Sequence, residues 1–220
     1  MSEDGSMGVD QSMEFVSKSP EVTMAFAEAL GRELGPGAVV ALNGDLGAGK
    51  TTFVRGLCIG LDVTDPVHSP SYTLMHTYQG RLEVFHFDAW MEGREAAFLD
   101  GGGAEWLFGE GVAVVEWASR VRDYLPAEHL EIELLHLKAP QIDDDGHPVG
   151  EPIRGLRAWV HGESEELRLL LHSAAQESGL REALRGDLPP SPGSRSSLME
   201  SQSSLNHGAQ GPLEDSDRLS

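Results

Sequence analysis

The stretch Gly44-Asp45-Leu46-Gly47-Ala48-Gly49-Lys50-Thr51 constrains this chain more than any other part of it. It matches G-x-x-x-x-G-K-[ST], a phosphate loop that must sit between a strand and a helix. Ala38-Val39-Val40-Ala41-Leu42 supplies the strand, with no polar residue until Asn43, as a strand buried on both faces requires. Thr51 to Ile59 supplies the helix. From typical residue frequencies a chain of this length matches the pattern by accident about once in a hundred, and the flanking elements lower that further. Glycines let the backbone curl so that successive N–H groups face phosphate oxygens, and the helix adds the positive end of its dipole. Lys50 is a point charge for the outer phosphates, and the Thr51 hydroxyl is a Mg²⁺ ligand. Asp45, Leu46, Gly47, Ala48, Gly49, Lys50, Thr51 and Thr52 are therefore the candidate ATP contacts.

The rest of the chain reads as one α/β domain: a P-loop NTPase-like fold, mostly parallel sheet flanked by helices, over residues 13–173. Ser19-Pro20-Glu21 is a helix start, with a capping hydroxyl, a proline in the first turn and an acid at the positive dipole end. Val22, Phe26, Ala29 and Leu30 give that helix an apolar face. Further strands are expected over Leu82–Phe87, Val112–Val115, His129–Lys138 and Leu156–Val160, with a short helix from Glu165 to Leu171. Residues 139–152, rich in Asp, Gly and Pro, read as a flexible hairpin insertion. Residues 1–12 are polar and acidic and read as a flexible lead-in, with Met13 an alternative start. After Trp159 there is no aromatic residue. From residue 174 to 220 the chain turns to Ser, Pro, Gly, Gln and acids, which predicts a disordered acidic tail.

Sixteen basic residues stand against thirty-six acidic ones, a net charge of -20. Such a field repels phosphate backbones, which argues against direct DNA or tRNA binding by the surface at large. One cysteine, Cys58, allows no intrachain disulfide. No apolar run approaches the roughly 18 residues of a bilayer span. A soluble cytoplasmic protein without membrane contact is the expectation.

A phosphate-loop enzyme needs a second acid at the end of a neighbouring strand. Two segments offer one: Val84-Phe85-His86-Phe87-Asp88 and Ala113-Val114-Val115-Glu116-Trp117. One carboxylate would anchor the metal and the other orient or deprotonate the attacking water; periodicity leaves the assignment open. His86 and Asp88 share a strand face and form a possible metal pair, although a satisfied core histidine is the commoner use. Trp117 shapes the nucleotide site or fills the core, and Trp90, Trp106 and Trp159 are core or partner-facing. Arg55 is an exposed helical arginine or a phosphate contact.

The series from the phosphate loop through Ser69-Pro70-Ser71-Tyr72-Thr73-Leu74, Tyr78, His86-Phe87-Asp88 and Glu116-Trp117 resembles the TsaE (YjeE) family. Its members are the bacterial ATPases needed for N6-threonylcarbamoyladenosine in tRNA. The resemblance spans Glu14 to His172. It implies that Glu116 joins Thr51 on Mg²⁺, that Asp88 is the acid needed for hydrolysis, and that Ser71, where the family has threonine, lies in a switch-like loop near the γ-phosphate. A family Ser-x-x-x-Thr near the nucleotide is matched by Ser19 and Thr23. Arg154 and Arg157 fall where a family hairpin carries two arginines. The family often continues His-Phe-Asp-Leu-Tyr-Arg. Here Asp88-Ala89-Trp90-Met91-Glu92 follows, so that arginine has no counterpart.

The implied function is a Mg²⁺-dependent ATP hydrolase, weak alone, that acts with TsaB and TsaD to form the threonylcarbamoyl group on N6 of adenosine 37 in tRNAs reading codons that begin with adenine. tRNA would be met only through the complex. The alternative is a small-molecule kinase, which needs an acceptor pocket and an arginine-rich lid; few basic residues lie between 82 and 119 to build one. A GTP switch needs Asn-Lys-x-Asp, and the only asparagines, Asn43 and Asn206, lie outside any such context.

Overall fold

Two apolar strands set the centre of the sheet. Val39–Asn43 and Val112–Glu116 are buried throughout except for half-buried Asn43, as strands covered on both faces must be. In this computed structural model, which describes residues 12–191 apart from 92, 144 and 146, the chain runs β1 (Met13–Ser17), α1 (Pro20–Glu33), β2 (Val39–Asn43), α2 (Lys50–Gly60), β3 (Met75–Tyr78), β4 (Val84–Asp88), α3 (Arg94–Asp100), β5 (Val112–Glu116), β6 (His129–Lys138), β7 (Gln141–Ile142), β8 (Pro148–Val149), β9 (Ile153–His161), α4 (Glu165–Glu177) and β10 (Arg181–Glu182). Two 3₁₀ segments, Gly103–Phe108 and Ala118–Tyr124, flank β5.

The large sheet has the order β10-β1-β9-β6-β2-β5-β4-β3. Its centre, β6-β2-β5-β4, is parallel. Both flanks are antiparallel. Hairpins account for two of these pairings: β3 reaches β4, and β6 reaches β9, by connections that join only antiparallel strands, whereas β1 meets β9 and β10 across the length of the chain. Residues 139–152 form the second of these hairpins, with β7 and β8 pairing inside it.

Alternation along the strands divides the core between two layers. Val40 and Leu42 pack with α1, α2 and α4. Val39 and Ala41 pack with α3 and the 3₁₀ segments. Ser19 caps α1, its Oγ accepting from Val22 N, with Pro20 in the first turn. Phe26 of α1 is fully buried between the rings of Phe15 and Phe53, at 6.1 and 6.0 Å. A Cβ on Gly56 would come within 2.2 Å of the Met24 carbonyl, so glycine there lets the phosphate-loop helix lie close against α1.

Three sequence expectations need correction. β1 and β3 were not anticipated as strands. Glu14 and His76 interrupt their apolar character, and each strand is held by pairing with a partner rather than by its own pattern. The fold also does not end at residue 173. α4 continues to Glu177, burying Ala174 and Ala175, β10 pairs with β1, and Leu180 and Leu188 are buried. The compact unit closes at Leu188. The expected lead-in up to residue 11 and tail from 192 lie outside the described residues. No helix among the described residues is long and apolar enough to cross a membrane.

Candidate functional site

The phosphate loop joins the carboxyl end of β2 to α2, at the edge where β4 and β5 also end. This is where ligands bind in open α/β sheets. Gly44 has φ +131, and a Cβ there would meet the Leu134 carbonyl at 2.3 Å, so only glycine allows the chain to turn beside β6. A cavity of about 580 Å³ opens above the loop, lined by Gly47, Lys50, Thr51, Thr52, Ser69, Ser71, Tyr72, Asp88, Trp90, Glu116 and Trp117 among others.

Lys50 is nearly buried. Its Nζ donates to the Gly44 and Asp45 carbonyls at 2.7 and 3.0 Å and stands 3.6 Å over the Trp117 ring. Burial pulls the ammonium below its ordinary pKa, and the Glu116, Asp88 and Asp45 carboxylates oppose that shift. Thr51 Oγ1 donates to Glu116 at 3.0 Å (Oε1) and 3.3 Å (Oε2). The pairing of β2 with β5 makes this contact, since Leu42 lies opposite Glu116. A hydroxyl and a carboxylate this close are a hard-oxygen donor set, the kind Mg²⁺ takes.

Asp88 is Glu116's register neighbour across β4 and β5, yet its carboxylate has different partners. Oδ2 accepts from Ser69 Oγ at 2.6 Å and Ser71 Oγ at 2.7 Å, and Oδ1 accepts from Trp90 N. The Ser69 and Ser71 hydroxyl oxygens also lie 2.7 Å from each other. The acid therefore fastens the 69–73 loop, whose Tyr72 projects 85% exposed beside the cavity. His86, paired with Asp88 in the sequence reading, turns its ring to Glu116 instead.

Beyond the loop, Trp117 has φ +59, a left-handed backbone that costs a non-glycine residue about 1–3 kcal/mol and is stored where function needs it. The turn is fixed by Asn43, whose Oδ1 accepts from Ser119 N at 2.8 Å. It lays the Trp117 ring under Lys50 and against Trp90, 4.6 Å away. Arg120 caps the pair: its guanidinium lies 5.2 Å over Trp90 and 5.8 Å over Trp117, and Nη1 donates to the Trp90 carbonyl. Sequence reading left both tryptophans open and passed over Arg120. The left-handed turn that gathers them has no signature in residue type.

Of the remaining candidates, Arg154 stands behind the loop. Its Nε donates to Ala48 O at 3.0 Å and Nη2 to Gly47 O at 3.2 Å. It braces the cradle and does not line the cavity. Thr23 is buried, its hydroxyl 2.8 Å from Ser17 Oγ, and Ser19 caps α1; neither lines the cavity. Ser17 is paired in register with Arg154, which puts this hydroxyl cluster on the Arg154 side of the loop. Leu46 is exposed at the mouth. Arg157 is buried against Glu14 and Glu133 and does not line the cavity. Arg55 donates to the Val67 carbonyl.

Comparison with known proteins gives a consistent picture. The family model "Threonylcarbamoyl adenosine biosynthesis protein TsaE" matches residues 17–142. The tRNA threonylcarbamoyladenosine biosynthesis protein TsaE of Treponema pallidum is 41% identical over 122 residues, covering 56% of this chain and 90% of that protein. Its namesake in Bacillus subtilis is 42% identical over 115 residues, covering 52% and 72%. Among solved structures, the crystal structure of Bacillus subtilis YdiB superposes with a TM-score of 0.56 at 30% identity, covering 76% of this chain and 95% of that one.

Proposed function

This chain belongs to the TsaE family, and from that premise we propose that it is a Mg²⁺-dependent ATPase serving tRNA threonylcarbamoyladenosine biosynthesis. The observation that carries the proposal is the convergence on one cavity of Lys50, the Thr51–Glu116 pair and Asp88. Loop N–H groups and Lys50 hold the phosphates, with Lys50 exchanging its Gly44 and Asp45 carbonyls for phosphate oxygens. Thr51 and Glu116 hold Mg²⁺, which supplies charge neutralisation for the transferred phosphoryl group. Asp88, released from Ser69 and Ser71, orients and deprotonates the attacking water. The same release frees the 69–73 loop, which gives the γ-phosphate a segment to order.

Among the described residues that line the cavity Lys50 is the one basic side chain. A phosphoryl-transfer site generally needs another cation, in cis or in trans, worth about 10³–10⁵ in rate. This supports slow hydrolysis by the chain alone and acceleration by TsaB and TsaD, with tRNA held by those partners. It also weighs against the small-molecule kinase, which would carry its own screening arginines. The substrate of the whole assembly on this reading is adenosine 37 of tRNAs that decode codons beginning with adenine, in the cytoplasm. The test is phosphate release by the chain alone, then with TsaB, TsaD and both. A high rate alone, unchanged by the partners, refutes partner-gated hydrolysis. Transfer of label from ATP to a metabolite instead of water establishes the kinase.

A further inference from the structure

His86 has a fully buried side chain on β4. Its Nε2 lies 2.9 Å from Glu116 Oε1, the same oxygen that accepts from Thr51. Its Nδ1 is buried and has no hydrogen-bond partner among the described residues. A carboxylate oxygen only accepts, so a hydrogen bond at this distance needs the ring proton on Nε2, and Nδ1, with no acceptor near it among the described residues, keeps its lone pair.

From this geometry we propose that His86 is a positioning residue: its Nε2–H fixes the Glu116 carboxylate in the orientation that receives Mg²⁺ beside Thr51. This rests on the reading of Glu116 as a metal ligand. A glutamate side chain has three rotatable bonds, and a ligand free to swing must be ordered when the cation arrives. Two donors on Oε1, from Thr51 and His86, order it beforehand. A carboxylate accepts at about four lone-pair sites, so capacity for a cation remains. The choice of histidine follows from charge. An arginine or lysine at this place would neutralise Glu116 and compete with Mg²⁺, whereas a ring with one proton orients the carboxylate and leaves its charge intact. Outer partners of this kind typically change metal affinity about 10–100-fold when removed.

Three measurements on the full-length chain test this. In wild type, ¹⁵N chemical shifts of the His86 imidazole should show the tautomer with its proton on Nε2; a proton on Nδ1 overturns the proposal. His86→Phe preserves an aromatic ring in the core but removes the donor. It should raise the Mg²⁺ concentration needed for half-maximal ATP binding about 10–100-fold, with ATP affinity in EDTA unchanged. An unchanged Mg²⁺ requirement overturns the proposal. His86→Gln restores an N–H donor at roughly the Nε2 position and should recover most of the Mg²⁺ dependence; equal loss in both variants assigns His86 to packing and also overturns it. If neither variant folds, the wild-type tautomer decides. Failure of wild type to bind Mg·ATP at all would instead strike the ATPase reading, and the tautomer measurement would stand apart from it.

Discussion

Replacing Asp88 with asparagine separates holding the 69–73 loop from activating water. Asp88 is almost completely buried and accepts three hydrogen bonds, from Ser69, Ser71 and Trp90 N. Asparagine keeps the Oδ1 acceptor for Trp90 N. Its NH₂ replaces Oδ2, and the two serine hydroxyls must rotate to accept from it. Two charge-assisted bonds thereby become neutral ones, a loss of about 1 kcal/mol each. The like-charged Glu116 in the neighbouring register position gains from removal of the charge, so about 2 kcal/mol is the upper value. For a domain of this size that lowers the melting point by about 4–8 °C. Hydrolysis should fall far more, about 10²–10⁴-fold in kcat, because an amide cannot take a proton. Mg·ATP affinity should stay within a few-fold, since Thr51 and Glu116 are untouched. The assays are calorimetric binding and phosphate release at saturating ATP. An unchanged kcat refutes Asp88 as the base. Loss of Mg²⁺-dependent binding alongside hydrolysis would show that Asp88, not Glu116, carries the metal.

Lys50→Ala removes two charge-assisted bonds to phosphate, each about 1.5 kcal/mol or more, and should weaken ATP about 100-fold by calorimetry; unchanged binding refutes the loop assignment. Burial pushes the Cys58 thiol up from 9.0 to about 12, so native protein at pH 8 should resist iodoacetamide and react at the normal rate in denaturant; fast native labelling would show that α2 opens. Burial lowers the His129 pKa from 6.5, with the Pro126 carbonyl opposing and His161 adding to the shift. The unfolded chain then protonates first, so this contribution to stability holds above about pH 6.5 and is lost as pH falls below it. Denaturant melts of His129→Gln should lose less stability than wild type between pH 7.5 and 5.5, and identical slopes refute the assignment. Ending the chain at Ala175 removes buried Leu180 and Leu188, each worth about 1.5–3 kcal/mol, and should cost about 3–6 kcal/mol; an unchanged melting point refutes the packing of β10 and its flanks.

What the sequence made legible follows the range of the interactions. The phosphate loop is eight contiguous residues whose chemistry is local, and the strand before it is apolar on both faces, so each could be read without knowing its neighbours. β1 escaped because Met13-Glu14-Phe15-Val16-Ser17 becomes a strand only against β9 and β10, and Glu14 is matched by Arg157, 143 positions away. The segment after residue 173 escaped for a different reason. Its composition is that of a disordered tail, but Leu171, Ala174 and Ala175 form a narrow stripe of mostly small residues that lets α4 pack on the core shared with α1, and alanine leaves little trace in a hydrophobicity pattern.

The site divides along the same line. Asp88 and Glu116 were both visible as strand-end acids, and residue type alone could not separate them. What separates them in space is the company each strand end keeps. Parallel pairing sets Glu116 opposite Leu42, and its carboxylate reaches Thr51 in the first turn of α2, 65 residues away in sequence. The β3–β4 hairpin brings the 69–73 loop over Asp88, with Asp88 N donating to the Leu74 carbonyl. One acid therefore meets a hydroxyl at a helix start and a buried imidazole, and the other meets two serines on a loop. The first surroundings lie on secondary structure, between a strand end and the first turn of α2, as the proposed metal ligand requires. The second are side chains of a connecting segment, as the proposed water-activating acid requires, since its partners must leave before water takes their place.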